Sequence, residues 1–169
     1  LQEAEGLLNL NAKLNASTLA YEADLMVDSL ELTHFLPQDS LSLLTTTIKA
    51  SGQGFDLASP KTKADIQAVL DHLHYGHWKF DKMQMHAGLN QSVASLKVDS
   101  DNDLLKLKLD GNMRFDRTYL DGTLDMDVNQ VDLYGLGIAP KPLKRPFAFT
   151  VASEARHDSV KLQLNAGDM

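Results

Sequence analysis

The sequence predicts an all-β chain, an elongated, curved sheet rich in antiparallel pairing, and three observations carry that expectation. Apolar and polar residues alternate with period two through most of the 169 residues. Gly, Pro, Asn, Asp and Ser punctuate these runs at short intervals, as turns require. Only one stretch offers a credible helical pattern.

The strongest alternation runs from Leu104 to Val128. Leu105, Leu107, Leu109, Gly111, Met113 and Phe115 share one parity, and Lys106, Lys108, Asp110, Asn112 and Arg114 share the other. After Asp116-Arg117-Thr118 the pattern resumes, with Leu120, Gly122, Leu124, Met126 and Val128 inward and Asp121, Thr123, Asp125 and Asp127 outward. This predicts a hairpin with one apolar face, and two registers keep that face together. One sets Lys108 opposite Asp125 and Lys106 opposite Asp127. The other sets Arg114 opposite Asp121 and Lys108 opposite Asp127 but faces Asp110 with Asp125. Directly opposed like charges cost stability, so the first register is the expectation.

Taken in order, Leu8, Leu10, Ala12 and Leu14 alternate with Asn9, Asn11, Lys13 and Asn15. After a break at Ser17-Thr18, Leu19, Tyr21, Ala23, Leu25 and Val27 continue the pattern. Leu30 and Leu32 lead to His34-Phe35-Leu36-Pro37, where Pro37 lacks a ladder N–H and ends regular pairing. A loop follows, then a strand with Thr46, Ile48 and Ala50 on one parity, entering a turn or bulge at Gly52-Gln53-Gly54.

Ser59 to Gly76 reads two ways. As a helix, Ser59 is the N-cap, Pro60 is N1, Ile66, Val69, Leu70 and Leu73 line one face, and Gly76 is the C-terminal cap. As a strand, Ala64, Ile66, Ala68 and Leu70 face inward, with a bulge near His72 restoring phase for Leu73 and Tyr75. The local pattern leaves both open. Trp78 to Leu89 follows as one strand with Met83 and Met85 inward, then a strand bearing Ala94, Leu96 and Val98. Asp99 to Asp103 is expected to turn into the central hairpin. Beyond Val128, a Gly- and Pro-containing loop precedes two last strands, Phe147 to Val151 and Val160 to Leu164.

The first segment repeats in the last third. Leu25, Val27, Leu30, Leu32 and Phe35 match Met126, Val128, Val131, Leu133 and Leu136 at an offset of 101 (128 − 27). A Pro-containing loop and an Ala-Ser-ended strand follow in both, so residues 18–60 and 118–160 read as one modular unit used twice.

A net charge of −7 with scattered Lys and Arg argues against a nucleic-acid partner. There is no cysteine, hence no thiol chemistry and no disulfide to indicate a redox compartment. The chain starts at Leu1, lacks an apolar run near membrane-spanning length, and carries no signal or lipidation motif. It reads as one segment of a longer protein whose targeting and anchoring parts lie outside it.

Candidate chemistry is sparse. His72 and His74 would share a strand face as two zinc ligands do, with His77 nearby, but no Cys or suitably spaced carboxylate completes the set. Asp99, Asp101 and Asp103 imitate the start of a calcium loop, yet Leu104 stands where its glycine belongs. Gly52-Gln53-Gly54 lacks the rest of a dinucleotide loop, and no Gly-x-Ser-x-Gly elbow occurs. We therefore expect no metal, no cofactor and no catalytic centre.

What remains is the apolar stripe. Two sheets closing on it as a β-sandwich is one reading; a single sheet leaving it open as a lined groove is the other. The inward positions favour Leu and Met over Val and Ile, flexible side chains that suit either a fluid ligand or an ordinary core.

The order of the pieces resembles the AsmA-like family, in its Bacteroides-type branch. The resemblance rests on VDSLELTHFLPQDSLSLLTTTIKASGQGFDLASPKTKADIQAVLDHLHYGHWKFDKMQMHAGL, SDNDLLKLKLDGNMRF, YLDGTLDMDVNQVDLYGLGI and KPLKRPFAFTV, and covers essentially the whole chain. It implies strand for Ala64 to Tyr75 and a U-shaped, taco-like groove with an apolar interior. It further implies a periplasmic location in an inner-membrane-anchored protein, movement of phospholipid toward the outer membrane, and an outer-membrane barrel partner of the Omp85 type. The lipid-facing lining it implies is Leu8, Leu10, Leu14, Leu25, Val27, Ile66, Leu70, Met83, Met85, Leu96, Val98, Leu105, Leu107, Leu109, Met113, Phe115, Leu120, Leu124, Met126 and Val128.

Overall fold

A computed structural model describes residues 6–31, 33, 41–115, 120–143 and 147–166, with the side chains of Leu41 and Leu120 outside the described set. The described residues form eleven strands and no α-helix: β1 (Leu7–Asn15), β2 (Ala20–Glu31), β3 (Leu41–Gln53), β4 (Lys63–Tyr75), β5 (Trp78–Phe80), β6 (Met83–Asn90), β7 (Val93–Asp101), β8 (Leu105–Phe115), β9 (Leu120–Val131), β10 (Phe147–Arg156) and β11 (Ser159–Ala166). They make one open antiparallel sheet in the order β1-β2-β3-β4-β6-β7-β8-β9-β10-β11, with β5 a short addition to β4. No second sheet closes over it among the described residues, so the sandwich reading fails.

Apart from β5, each strand pairs with the next in chain order, which makes the topology a simple meander. Asn15 Oδ1 accepts from the backbone N–H of Ser17 at 3.0 Å and Thr18 at 3.1 Å, folding the β1–β2 turn with Leu19 left-handed at φ +54°. Leu19 is thus a turn residue and not the strand residue its parity predicts. Gln91 and Ser92 are both left-handed, at φ +50° and +61°, the paired positive φ of a two-residue hairpin whose twist matches its strands. Gly54 at φ +79° donates to the Leu19 carbonyl at 3.0 Å and ends β3, so Gly52 and Gln53 belong to the strand and the turn begins after them.

The ambiguous stretch is strand: β4 pairs with β3 throughout, and Asp71 is the extra residue between Leu70 and His72. That bulge lies where phase had to be restored. Trp78 to Leu89 is not continuous, because Asp81 and Lys82, the latter at φ +51°, separate β5 from β6. Asp99 to Asp101 belong to β7, and the turn is only Asn102 to Leu104. Buried Asn102 organises it by donating to the Lys79 carbonyl at 3.1 Å and Asp81 Oδ1 at 2.8 Å while accepting from Leu104 N at 2.9 Å. Three bonds from one amide replace the extended run.

The central hairpin takes the other register. Lys108 faces Asp127, Arg114 faces Asp121, and Asp110 faces Asp125. The like-charge pair is tolerated because Asp110 is bound from its other side by Lys97 Nζ of β7, at 3.0 Å. A hairpin considered alone cannot supply that counter-ion. A bulge also contributes: Lys106 faces Gln130 and Leu107 faces Val128, leaving Asn129 as an extra residue.

β2 and β9 each carry a bulge against their downstream partner. Val27 to Leu30 opposes Thr46 to Leu44, and Val128 to Val131 opposes Phe149 to Phe147, each with one extra residue on the first strand. The two bulges are separated by the same offset of 101 (128 − 27 and 131 − 30). Leu32 and residues 34–40 lie outside the described set, so the full corner path expected after Leu30 is not comparable.

Candidate functional site: an apolar sheet face

Direct opposition in an antiparallel sheet puts residues on the same face, so the registers join side chains into rows crossing the strands. Leu10, Leu25, Ile48, Ala68, Met85, Val98, Leu109, Met126, Val151 and Leu164 form one continuous row across all ten strands of the main path. A second begins at Leu8 and passes through Val27, Thr46, Leu70, Met83, Ser100, Leu107, Val128 and Phe149. A third holds Ala12, Ala23, Ala50, Ile66, Ala87, Leu96, Gly111 and Leu124. The fourth holds Leu14, Tyr21, Gly52, Ala64, Leu89, Ala94, Met113 and Gly122. Four apolar rows share one face.

The lining residues drawn from the sequence largely fall on these rows. Leu105 lies beyond the β9 bulge, opposite Val131, and Phe115 closes the hairpin opposite Leu120, whose side chain is outside the described set. Burial along the face is uneven. Val27 and Val128 are 4% and 2% exposed, whereas Leu8, Leu10 and Leu14 on β1 are 57%, 61% and 65% exposed. Met85, Met113 and Leu124 are also exposed.

Sequence reasoning missed much of the face on β3, β10 and β11. Ile48, Val151 and Leu164 complete the first row, and their own alternation was the available signal. The buried polar members were also missed. Thr46 Oγ1 donates to the Val69 carbonyl at 2.8 Å, and Ser100 Oγ donates to the Leu105 carbonyl at 2.6 Å, so each hydroxyl is satisfied by backbone. Glycine is needed at position 52, because a Cβ there would collide with the Tyr21 ring and the Lys63 carbonyl.

The opposite face is polar and laced with ion pairs: Lys97–Asp110, Lys108–Asp99 at 3.9 Å and Lys106–Asp101 at 3.1 Å. His86 Nε2 lies 2.6 Å from Asp65 Oδ2, and that hydrogen bond holds the Asp65 carboxyl below its ordinary pKa. The Lys106 ammonium does the same for Asp101, first by its hydrogen bond and then by its charge. A depression of about 930 Å3 lies on this face. Its lining comes in consecutive triplets such as Lys97-Val98-Asp99 and Asp125-Met126-Asp127, whose middle side chains turn to the apolar face, leaving backbone as floor and charged side chains as walls.

His72 and His74 share the polar side of β4, opposite Thr45 and Leu43, while His77 sits in the β4–β5 turn with its ring 5.0 Å from that of Trp78. Among the described residues, no three His, Cys, Asp or Glu side chains converge to hold a metal ion. Nor is any helix among them long and apolar enough to cross a membrane. Comparison with protein-family models, curated proteins and solved structures finds no match to the chain.

Proposed function

We propose that the chain is a non-enzymatic segment of an AsmA-like protein of the TamB type, which carries phospholipid acyl chains along its apolar sheet face between the inner and outer membranes and so supports outer-membrane assembly. In this reading the segment is periplasmic, the full-length protein is anchored in the inner membrane, and an Omp85-type barrel partner is engaged through regions outside the segment. The sheet curls so that the four rows line a U-shaped groove.

One observation supports this above the others: the apolar row from Leu10 to Leu164 runs uninterrupted across ten strands, flanked by three largely apolar rows, with no second layer over them among the described residues. An exposed apolar surface of that extent costs free energy in water unless something apolar covers it. A row crossing every strand suits a linear acyl chain, which needs continuity along one axis and no polar recognition.

The test places a photo-crosslinker at position 107 of the full-length protein and compares Leu107→Arg with Lys108→Glu. Leu107 lies on an apolar row, and Lys108 on the opposite face opposite Asp127. An arginine on an open face reaches water along its stem. The expected result is lipid adducts at position 107 and a folded Leu107→Arg variant that has lost lipid transfer, with Lys108→Glu unchanged in transfer. No adducts from the wild-type position, together with an unfolded Leu107→Arg, would reject the conduit.

A second reading has one observation in its favour. β1 and β11 are exposed along their whole length and pair on one side only among the described residues. Such edges accept extended strands, so a chaperone role by β-augmentation toward outer-membrane proteins is the alternative. It predicts crosslinks to protein from β11 in place of lipid adducts from position 107.

A further inference from the structure

We propose that the β9–β10 corner, Asp132 to Leu143, is a membrane-contact site that seats its outward apolar side chains in the surface of an anionic bilayer. The contact is made at the strand ends and leaves the apolar face free, so the inference does not rest on lipid carriage.

The run Asp132-Leu133-Tyr134-Gly135-Leu136-Gly137-Ile138 folds as one tight turn closed at both ends. Asp132 Oδ1 accepts from the backbone N–H groups of Tyr134 at 3.1 Å and Gly135 at 2.9 Å, as a helix N-cap does, and Asp132 N donates to the Leu104 carbonyl at 2.9 Å. Gly137, left-handed at φ +73°, donates to the Tyr134 carbonyl at 2.9 Å while Ile138 donates to the Leu133 carbonyl at 2.8 Å, the paired bonds that end a helix at such a glycine. The backbone is thus fixed. Leu133 and Leu136 are half-buried, whereas Tyr134, Ile138 and Leu143 are 51%, 69% and 52% exposed. In this motif the residue after the glycine commonly packs back on the turn, yet Ile138 stays largely in water. A corner held this firmly does not fold those three side chains away, so their cover comes from outside.

Charge and neighbours choose the cover. The chain carries −7, yet Leu133 to Ser153 holds Lys141, Lys144 and Arg145 and no acid, and His72 to Phe80 holds Lys79 and no acid. The two stretches meet in the fold. A Cβ on Gly137 would stand 3.9 Å from His77 Nε2, and the rings of His77, Trp78 and Tyr75 follow one another at 5.0 and 5.8 Å. Tyr75 is also exposed, and Lys79 and Lys141 are exposed with no ion pair among the described residues. This end of the sheet therefore offers aliphatic tips, two tyrosines and unpaired ammonium groups, which match in turn the hydrocarbon, the glycerol level and the phosphates of a bilayer surface. A protein partner would need a shaped pocket for each tip; a fluid layer moulds to them.

Flotation of the 169-residue chain with vesicles tests this, after circular dichroism has shown each variant folded. Vesicles of phosphatidylcholine with about one-third phosphatidylglycerol should carry the wild type, and pure phosphatidylcholine should carry far less. Trp78 is the one tryptophan, so brominated lipid should quench its fluorescence as the corner enters. Ile138→Asp should lose both flotation and quenching. Lys141→Gln should bind about fivefold more weakly, and the loss should vanish at high salt. Lys161→Gln, a cation on β11, should bind as the wild type does. A folded wild type that stays in the buffer overturns the proposal, and so does flotation that survives Ile138→Asp, which would place the contact on the apolar face. A photo-crosslinker at position 138 of the full-length protein gives a second reading: lipid adducts support the site, and protein adducts alone overturn it in favour of a protein partner.

Discussion

The β2–β3 and β9–β10 pairs place the same bulge at the same interval and fill it differently. In both, a valine at the bulge is among the most buried residues of the chain, Val27 at 4% and Val128 at 2%. Opposite Val27 stands Thr46, whose hydroxyl is bonded to the Val69 carbonyl; opposite Val128 stands Phe149, whose ring packs 5.5 Å from that of Phe147. The backbone irregularity is common to both pairs, while the filling is a satisfied polar group in one and aromatic surface in the other. A corner is thus set by one surplus residue and one buried valine, and its partner strand is free to vary.

The largest test of that conclusion is Val27→Asp set beside Val128→Asp. Each buries an unpaired carboxylate and should cost about 4 kcal/mol or more, read by chemical denaturation. If one is tolerated while the other unfolds the chain, the corners are not equivalent. The fillings should separate next. Phe149→Ala removes half-buried ring area and should cost about 2 kcal/mol, whereas Thr46→Val exchanges one backbone-bonded hydroxyl for a methyl and should cost about 1 kcal/mol. Equal losses would show that the two corners are filled by the same physics after all. The smallest effect lies on the polar face, where Lys97→Ala should cost roughly 0.5 kcal/mol by leaving Asp110 to face Asp125 alone. That loss should shrink as salt rises, and a loss indifferent to salt would mean Lys97 acts through its alkyl stem.

Alternation was legible wherever a strand has one face apart from water. The period-two pattern located most strands of the meander and the inward parity of many; for β4 it left helix and strand open, although its strand alternative already placed the bulge near His72. Register was not legible, because the choice between two hairpin alignments depended on Lys97, a residue of a third strand. The break at Asp81-Lys82 and the three-bond turn at Asn102 were hidden for a related reason: each is stabilised by groups distant in sequence, Asn102 reaching back to Lys79 and Asp81. For the candidate site, the identity of the inward residues could be read locally, but their joining into rows requires every register at once.

The row through Leu10 and Leu164 crosses nine inter-strand steps, and at about 4.8 Å each it runs about 43 Å. One leaflet of a bilayer core is about 15 Å deep. On the proposed reading a single acyl chain therefore occupies a fraction of the row, and every strand-to-strand displacement exchanges one aliphatic neighbour for another of similar chemistry. Motion along the row meets a corrugation with the strand spacing as its period and no deep well, the condition for one-dimensional diffusion with low friction. Several chains could queue on one sheet, and net transport would take its direction from what loads and unloads the ends.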